Sequence, residues 1–212
     1  MEAFAAKGHI CMSRMRASVA ALATALAVAL LPSGALGATH RPAGRRAQAP
    51  SAGHCANTQL VPSEDDTRLV IAATLCLVNR ERSAHHAQPL RENPYLARAA
   101  QRHNESMLAQ NYVEHVGPEG STPDARIEAS GYLRGAEPGY ESAENIGWGS
   151  GSEATPAAVV ARWMASPPHR ASILDGHLRD SGIGVAAHLP ACLGAAGAGA
   201  IYTQDFAVLL GG

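Results

Sequence analysis

Residues 155–174 read TPAAVVARWMASPPHRASIL, and the way this run divides decides what kind of domain the chain can build. Thr155 followed by Pro156 has the grammar of a helix start, a hydroxyl cap and then a proline whose missing N–H costs nothing at the first helical position. Pro167 and Pro168 stop that helix, since neither can donate to a continuing backbone ladder. A second helical stretch comes next. A chain needing only a turn could have used Gly, Asn or Ser here. Instead it holds a titratable ring, His169, behind two residues of fixed φ, so His169 is a candidate for more than a structural role.

The same punctuation recurs outward along the chain. SEDDTRLVIAATLCLVNRER (residues 63–82) has acids at its start and arginines at its end, and Leu69, Ala72, Ala73, Cys76 and Leu77 recur at helical spacing. A second helix starts from Asn93 as cap with Pro94 behind it, carries Leu96, Ala100, His103 and Met107 on one stripe, and ends near Asn111. His103 on that stripe is most simply a histidine at the edge of the core with one nitrogen satisfied. Thr122-Pro123 opens a short third helix that Gly131 closes. Between these helices, AENIGWGSG (143–151) suits a strand leaving a loop, and GIGVAAHL (182–189) and AIYTQDFAVLL (200–210) suit two more. Four or five helices with about three strands make an α+β layered domain.

The remaining segments set the context. Arg14 and Arg16 precede an unbroken run of small apolar residues that leads to Ala35 and Gly37, the pattern of a secretory signal peptide over residues 1–37. A membrane anchor is the alternative, because the apolar run approaches the roughly 20 residues a spanning helix needs. Residues 38–66 lack periodicity and are rich in Pro, Gly, Ala, Arg and Gln, as expected of a disordered linker; the folded domain is expected over 67–210. The formal net charge is only −1 over 212 residues, and no basic patch interleaved with aromatics occurs, so nucleic acid is not an expected partner.

Export gives cysteine an oxidising compartment. A Cys55–Cys76 bridge would staple the lead-in onto the first helix and leave Cys192 free; three reduced thiols, with Cys76 as a small core residue, is the alternative. With 4% aromatic residues, Trp148 and Trp163 are both expected in the core.

Three polar residues fall where helices give way to loops or strands: His115 after the second helix, Glu144 inside SAENIGW, and His169. Such junctions are where a scaffold presents side chains to a shared cleft. Two imidazoles and a carboxylate could hold a divalent ion such as Zn²⁺, with His115 and His169 as ligands, or the carboxylate could orient one imidazole as a base.

Taken in order, LCLVNRERSAHHAQPL, YVEH, GY, SAENIGWG, VVARWMASPPHRASIL, GIGV and YTQDF resemble the bacterial branch of the CAP superfamily, the cysteine-rich secretory, antigen 5 and pathogenesis-related 1 proteins with their SCP domain. The resemblance covers about Thr67 to Leu210. It implies an α-β-α sandwich with a small antiparallel sheet between helical layers, and a cleft lined by a His-Glu-Glu-His set. His115 in VEH matches the first histidine, Glu144 in AEN the first glutamate and His169 in SPPHR the second histidine. The second glutamate has no match, and Ser166 stands in its region.

The function this implies is a secreted protein, released or retained in the cell envelope, whose cleft binds a small molecule, lipid or envelope component without catalysis. No cofactor is required, Zn²⁺ or another divalent ion is the candidate metal, and the membrane is met only through the signal segment. Two alternatives stand beside it. One is a hydrolase, either with zinc on the histidines and Glu144 activating water or with a serine such as Ser166 activated by histidine. Against that, the chain has no HExxH and no Gly-x-Ser-x-Gly. The other is a structural envelope protein with a vestigial cleft. Arg170 is expected in a structural salt bridge and Asn145 in satisfying backbone groups. Tyr202 and Gln204 could face either side of the last strand.

Overall fold

The computed structural model describes residues 54–133, 139–194 and 199–210. The expected signal segment, and the linker as far as residue 53, lie outside the described residues. Among the described residues, five α-helices and four strands run in the order α1 (Thr67–Ala84), β1 (Arg91–Glu92), α2 (Pro94–Gln110), α3 (Pro123–Ser130), β2 (Tyr140–Ser150), α4 (Pro156–Ala165), α5 (Pro167–Leu174), β3 (Asp180–Ala186) and β4 (Gly199–Leu209). The sheet order is β1-β3-β4-β2. β4 pairs antiparallel with both β2 and β3, and the two-residue β1 pairs parallel with β3, a parallel edge on an otherwise antiparallel sheet.

Helices cover both faces. α2 packs on β3 and β4 with α3 beside it, and α1, α4 and α5 pack together on the opposite face. This is the expected α-β-α sandwich. Alternate residues of β4 serve the two layers, as the twofold repeat of a strand requires. Tyr202 and Phe206 join Val70, Leu77, Val159 and Trp163 in the larger core, while Ile201 and Ala207 pack with Met107 and Leu96 of α2. Gly182 and Gly184 on β3 let α2 lie against the strand backbone; a side chain at either position would run into the helix backbone at Ala97 or Gln101.

The helix starts obey the sequence grammar. Asn93 Oδ1 accepts from Tyr95 N, Thr122 Oγ1 from Ala125 N and Thr155 Oγ1 from Ala158 N, each with proline next in line. Asn111, in the left-handed region at φ 56°, and Gly131 at φ 89° end α2 and α3. Pro167 and Pro168 end one helix and also begin the next, so His169 is the third residue of α5.

Arg82, fully buried on α1, holds the segment between α5 and β3 in place. Its guanidinium donates to the carbonyls of Gln88 (2.6 Å), Ile173 (2.7 Å), Asp175 (2.9 Å) and Leu178 (3.1 Å). All four acceptors are backbone oxygens, and those of Ile173 and Leu178 lie in the interior, where an unpaired carbonyl is costly.

Several expectations are corrected. Order begins before Thr67, because Cys55 is buried and bridged to Cys76, and Glu64–Asp66 form a 3-10 turn leading into α1. Cys192 is disulfide-bonded, and no cysteine is free among the described residues. Trp163 is buried with its indole N–H donating to Ile146 O, but Trp148 is 44% exposed, since it sits near the end of edge strand β2. Tyr202 and Gln204 are both fully buried, so neither lines an open cleft.

Candidate functional site

Because β2 is an edge strand, segments from both helical layers can meet beside it. After Asn111 turns the chain out of α2, Tyr112 anchors in the core and His115 arrives next to Glu144. His115 Nδ1 donates to Glu144 Oε1 at 2.8 Å, an assignment fixed by the carboxylate's being an acceptor only. The side chain is half exposed, and the bond to Glu144 occupies Nδ1 and not Nε2.

Glu144 itself is buried, and its second oxygen is also taken. Arg126 of α3 donates to Glu144 Oε2 (2.7 Å), to the His115 carbonyl (2.9 Å) and to the Ser121 carbonyl (2.7 Å). One guanidinium thus ties the His115 loop, the start of α3 and the strand together. Burial alone would raise the Glu144 carboxyl, but the hydrogen bond from His115 and the charge of Arg126 prevail and hold it below its usual range. In return the bond to Glu144, working against burial, raises His115 above an ordinary imidazole.

His169 approaches from the other layer. Asn145, whose side chain points opposite to that of Glu144, donates from Nδ2 to the His169 carbonyl at 3.1 Å and fixes the start of α5 against β2. Burial, then the charge of His115, lower His169, so the second imidazole stays neutral beside a readily charged first one. His115 and Glu144 are in direct contact, and His169 lies within electrostatic range of His115. Asn145 satisfies a backbone group as expected, but on α5 and not in its own turn. Arg170 makes no ion pair among the described residues; its guanidinium lies 3.4 Å from His85 Nε2.

Two more groups complete the setting. Asp205 of β4 stands opposite Glu144 in register and is completely buried. Burial and the Glu144 charge push its carboxyl well above the usual range, favouring the protonated form. His103 is the core-edge histidine foreseen. Its Nε2 donates to the Glu114 carbonyl at 2.9 Å, its Nδ1 has no partner, and burial lowers its pKa to about 4.

The cysteine-rich secretory protein family, CAP, matches residues 75–190. The chain belongs to this family. The CAP domain is 30% identical over 131 residues to the uncharacterized protein YkwD of Bacillus subtilis, an alignment covering 61% of this chain and 44% of YkwD. The chain therefore spans less than half the length of that relative. Among solved structures, an extracellular protein containing a SCP domain from Bacillus anthracis superposes with a TM-score of 0.54 at 22% identity, over 71% of this chain and 44% of that one. An outer surface protein of Borrelia burgdorferi gives 0.53 at 15% identity, over 70% of this chain and 96% of that one. Both share the fold.

His115, Glu144 and His169 make a poor metal site. Both oxygens of Glu144 are engaged, one of them by a cation, which leaves two imidazoles. Among the described residues no group of three or more His, Cys, Asp or Glu side chains could hold a metal ion. A catalytic zinc site needs three protein ligands, so this donor set does not fit one.

Sequence reasoning missed Arg126 and Asp205. For Arg126 no signal was present, since an arginine in a short exposed helix reads as solvated. For Asp205 there was one: an acid in the middle of a strand bounded by apolar runs, within AIYTQDFAVLL, must be neutral or partnered if that strand is buried.

Proposed function

We propose that this CAP domain acts outside the cytoplasm as a non-catalytic binding module, with His115 and His169 contacting an acidic group of a lipid or envelope ligand. The observation carrying this reading is the commitment of Glu144 on both oxygens, to His115 and Arg126. A carboxylate so engaged orients a ring; it does not activate water. What it leaves exposed is one imidazole biased toward its charged form and one imidazole held toward its neutral form, two ring donors for an anion.

Localisation has three supports: the signal-like N-terminus, the Cys55–Cys76 bridge, which persists in oxidising compartments, and relatives described as extracellular or outer surface proteins. Among the described residues no helix is long and apolar enough to cross a membrane.

The test is co-sedimentation of the mature domain with phosphatidylglycerol vesicles and with phosphatidylcholine vesicles, at pH 6 and pH 9. Binding to the acidic vesicles alone, stronger at pH 6 and lost in His115→Ala/His169→Ala, is expected. Equal binding of the double variant overturns the assignment.

One feature favours a second reading, hydrolysis: a carboxylate orienting an imidazole is also how a general base is prepared. Yet no serine hydroxyl among the described residues is hydrogen-bonded to His115. Turnover of nitrophenyl esters or a peptide library, abolished in His115→Ala, would replace binding by catalysis.

A further inference from the structure

Away from His115 and Glu144, the far end of β2 carries a second concave surface. Trp148, Ser150, Glu153, Arg162, Leu189 and Leu193 line a shallow groove of about 340 Å³, within the roughly 300–1,000 Å³ common for small-ligand clefts. Its aromatic member is one of only two tryptophans in the chain; the other, Trp163, is buried while Trp148 keeps 44% of its surface exposed.

The groove is built to hold its shape. Arg162 of α4 donates to Glu153 Oε2 (2.7 Å), to the Trp148 carbonyl (2.7 Å) and to the Glu153 carbonyl (2.8 Å). The guanidinium thus locks the strand end that bears the indole against a 3-10 turn, Gly151–Ala154, that bears the acid. Gly149 is required between them, because a Cβ there would strike the Glu153 backbone. A large apolar ring left exposed on a strand end fixed this firmly is not an accident of fraying.

We propose that this groove binds a pyranose ring of a glycan chain, stacked on Trp148. The apolar face of a pyranose presents C–H groups of slight positive charge, which suit the negative face of an indole. Its hydroxyls need donors and acceptors at the margin, and Ser150, Glu153 and Arg162 supply both kinds. Leu189 and Leu193 extend the apolar floor without enclosing it. A lipid chain needs a closed apolar slot; a polysaccharide threads across an open one. The site is separate from His115 and His169 and does not depend on what they bind.

The experiment uses tryptophan fluorescence of the mature domain during titration with chitotetraose and cellotetraose, with phosphatidylglycerol vesicles as the comparison. Saturable quenching or a blue shift with at least one tetrasaccharide at millimolar concentration is expected. Trp148→Ala should weaken binding, measured by calorimetry, by about tenfold or more, Trp148→Phe should retain part of it, and His115→Ala should leave it unchanged. No response to either sugar overturns the proposal, and so does a sugar affinity that Trp148→Ala leaves intact. A response to vesicles alone also overturns it, assigning the indole to lipid contact.

Discussion

Glu144 and Asp205 face each other across β2 and β4, two acids in register whose carboxyls are pushed in opposite directions, the first below and the second well above the usual range. Glu144 has Arg126 and His115 to balance its charge, whereas burial beside that charge favours the protonated form of Asp205. Asp205 has a folded pKa above its unfolded one, so its contribution is fully present below the unfolded value, near 4, and is lost as pH rises toward the folded value. Asp205→Asn copies the protonated shape without a proton to lose. Its melting temperature should exceed that of the parent at pH 8, with the gap closing toward pH 4. A variant less stable than the parent at pH 8 would show that Asp205 is ionised in place.

Arg126→Met removes the cation from a buried carboxylate. The expected cost is about 3 kcal/mol, the usual result of orphaning one partner of a buried pair. Adding Glu144→Gln should restore part of it. Urea unfolding of the two single variants and the double variant gives the coupling directly, and additive losses would mean that the two side chains do not depend on each other.

His103 predicts acid sensitivity. Its folded pKa of about 4 lies below the unfolded value, so its contribution is intact above about 6.5 and falls away as pH drops toward 4. The loss is on the order of 3 kcal/mol over that window. Urea midpoints at pH 7 and pH 4.5 should differ less in His103→Gln than in the parent.

The bridge between Cys55 and Cys76 closes a loop with a sequence separation of 21. Loop-closure entropy for such a length is about 3 kcal/mol. Cys55→Ala/Cys76→Ala should therefore unfold at lower urea while its circular dichroism below the transition stays that of the parent. An unchanged midpoint would mean the lead-in adds nothing to the domain.

Much of this architecture is written locally. Asn93-Pro94, Thr122-Pro123 and Thr155-Pro156 announce their helices because a cap and the proline behind it act within three residues of each other. His115 and Glu144, 29 positions apart, became visible as partners through resemblance, since spacing alone pairs ten histidines with any acid. The features that escaped are long-range and depend on depth. The two-residue β1 carries no period of its own and exists because β3 offers a free edge. Trp148 was expected inside because of its size, but a place near the end of an edge strand left it outside. Arg126 and Asp205 acquire meaning only once α3 and β4 have closed on Glu144.

The backbone contact made possible by Gly182 and Gly184 has an outcome for variation in this protein. With main chain touching main chain, α2 cannot slide or tilt over the strands to suit a new occupant, and no side chain at that seam can be exchanged to tune it. Changes of preference therefore have to arise at the periphery, in residues such as Arg170, Ser150 or Leu193, while the floor beneath them is passed on unaltered.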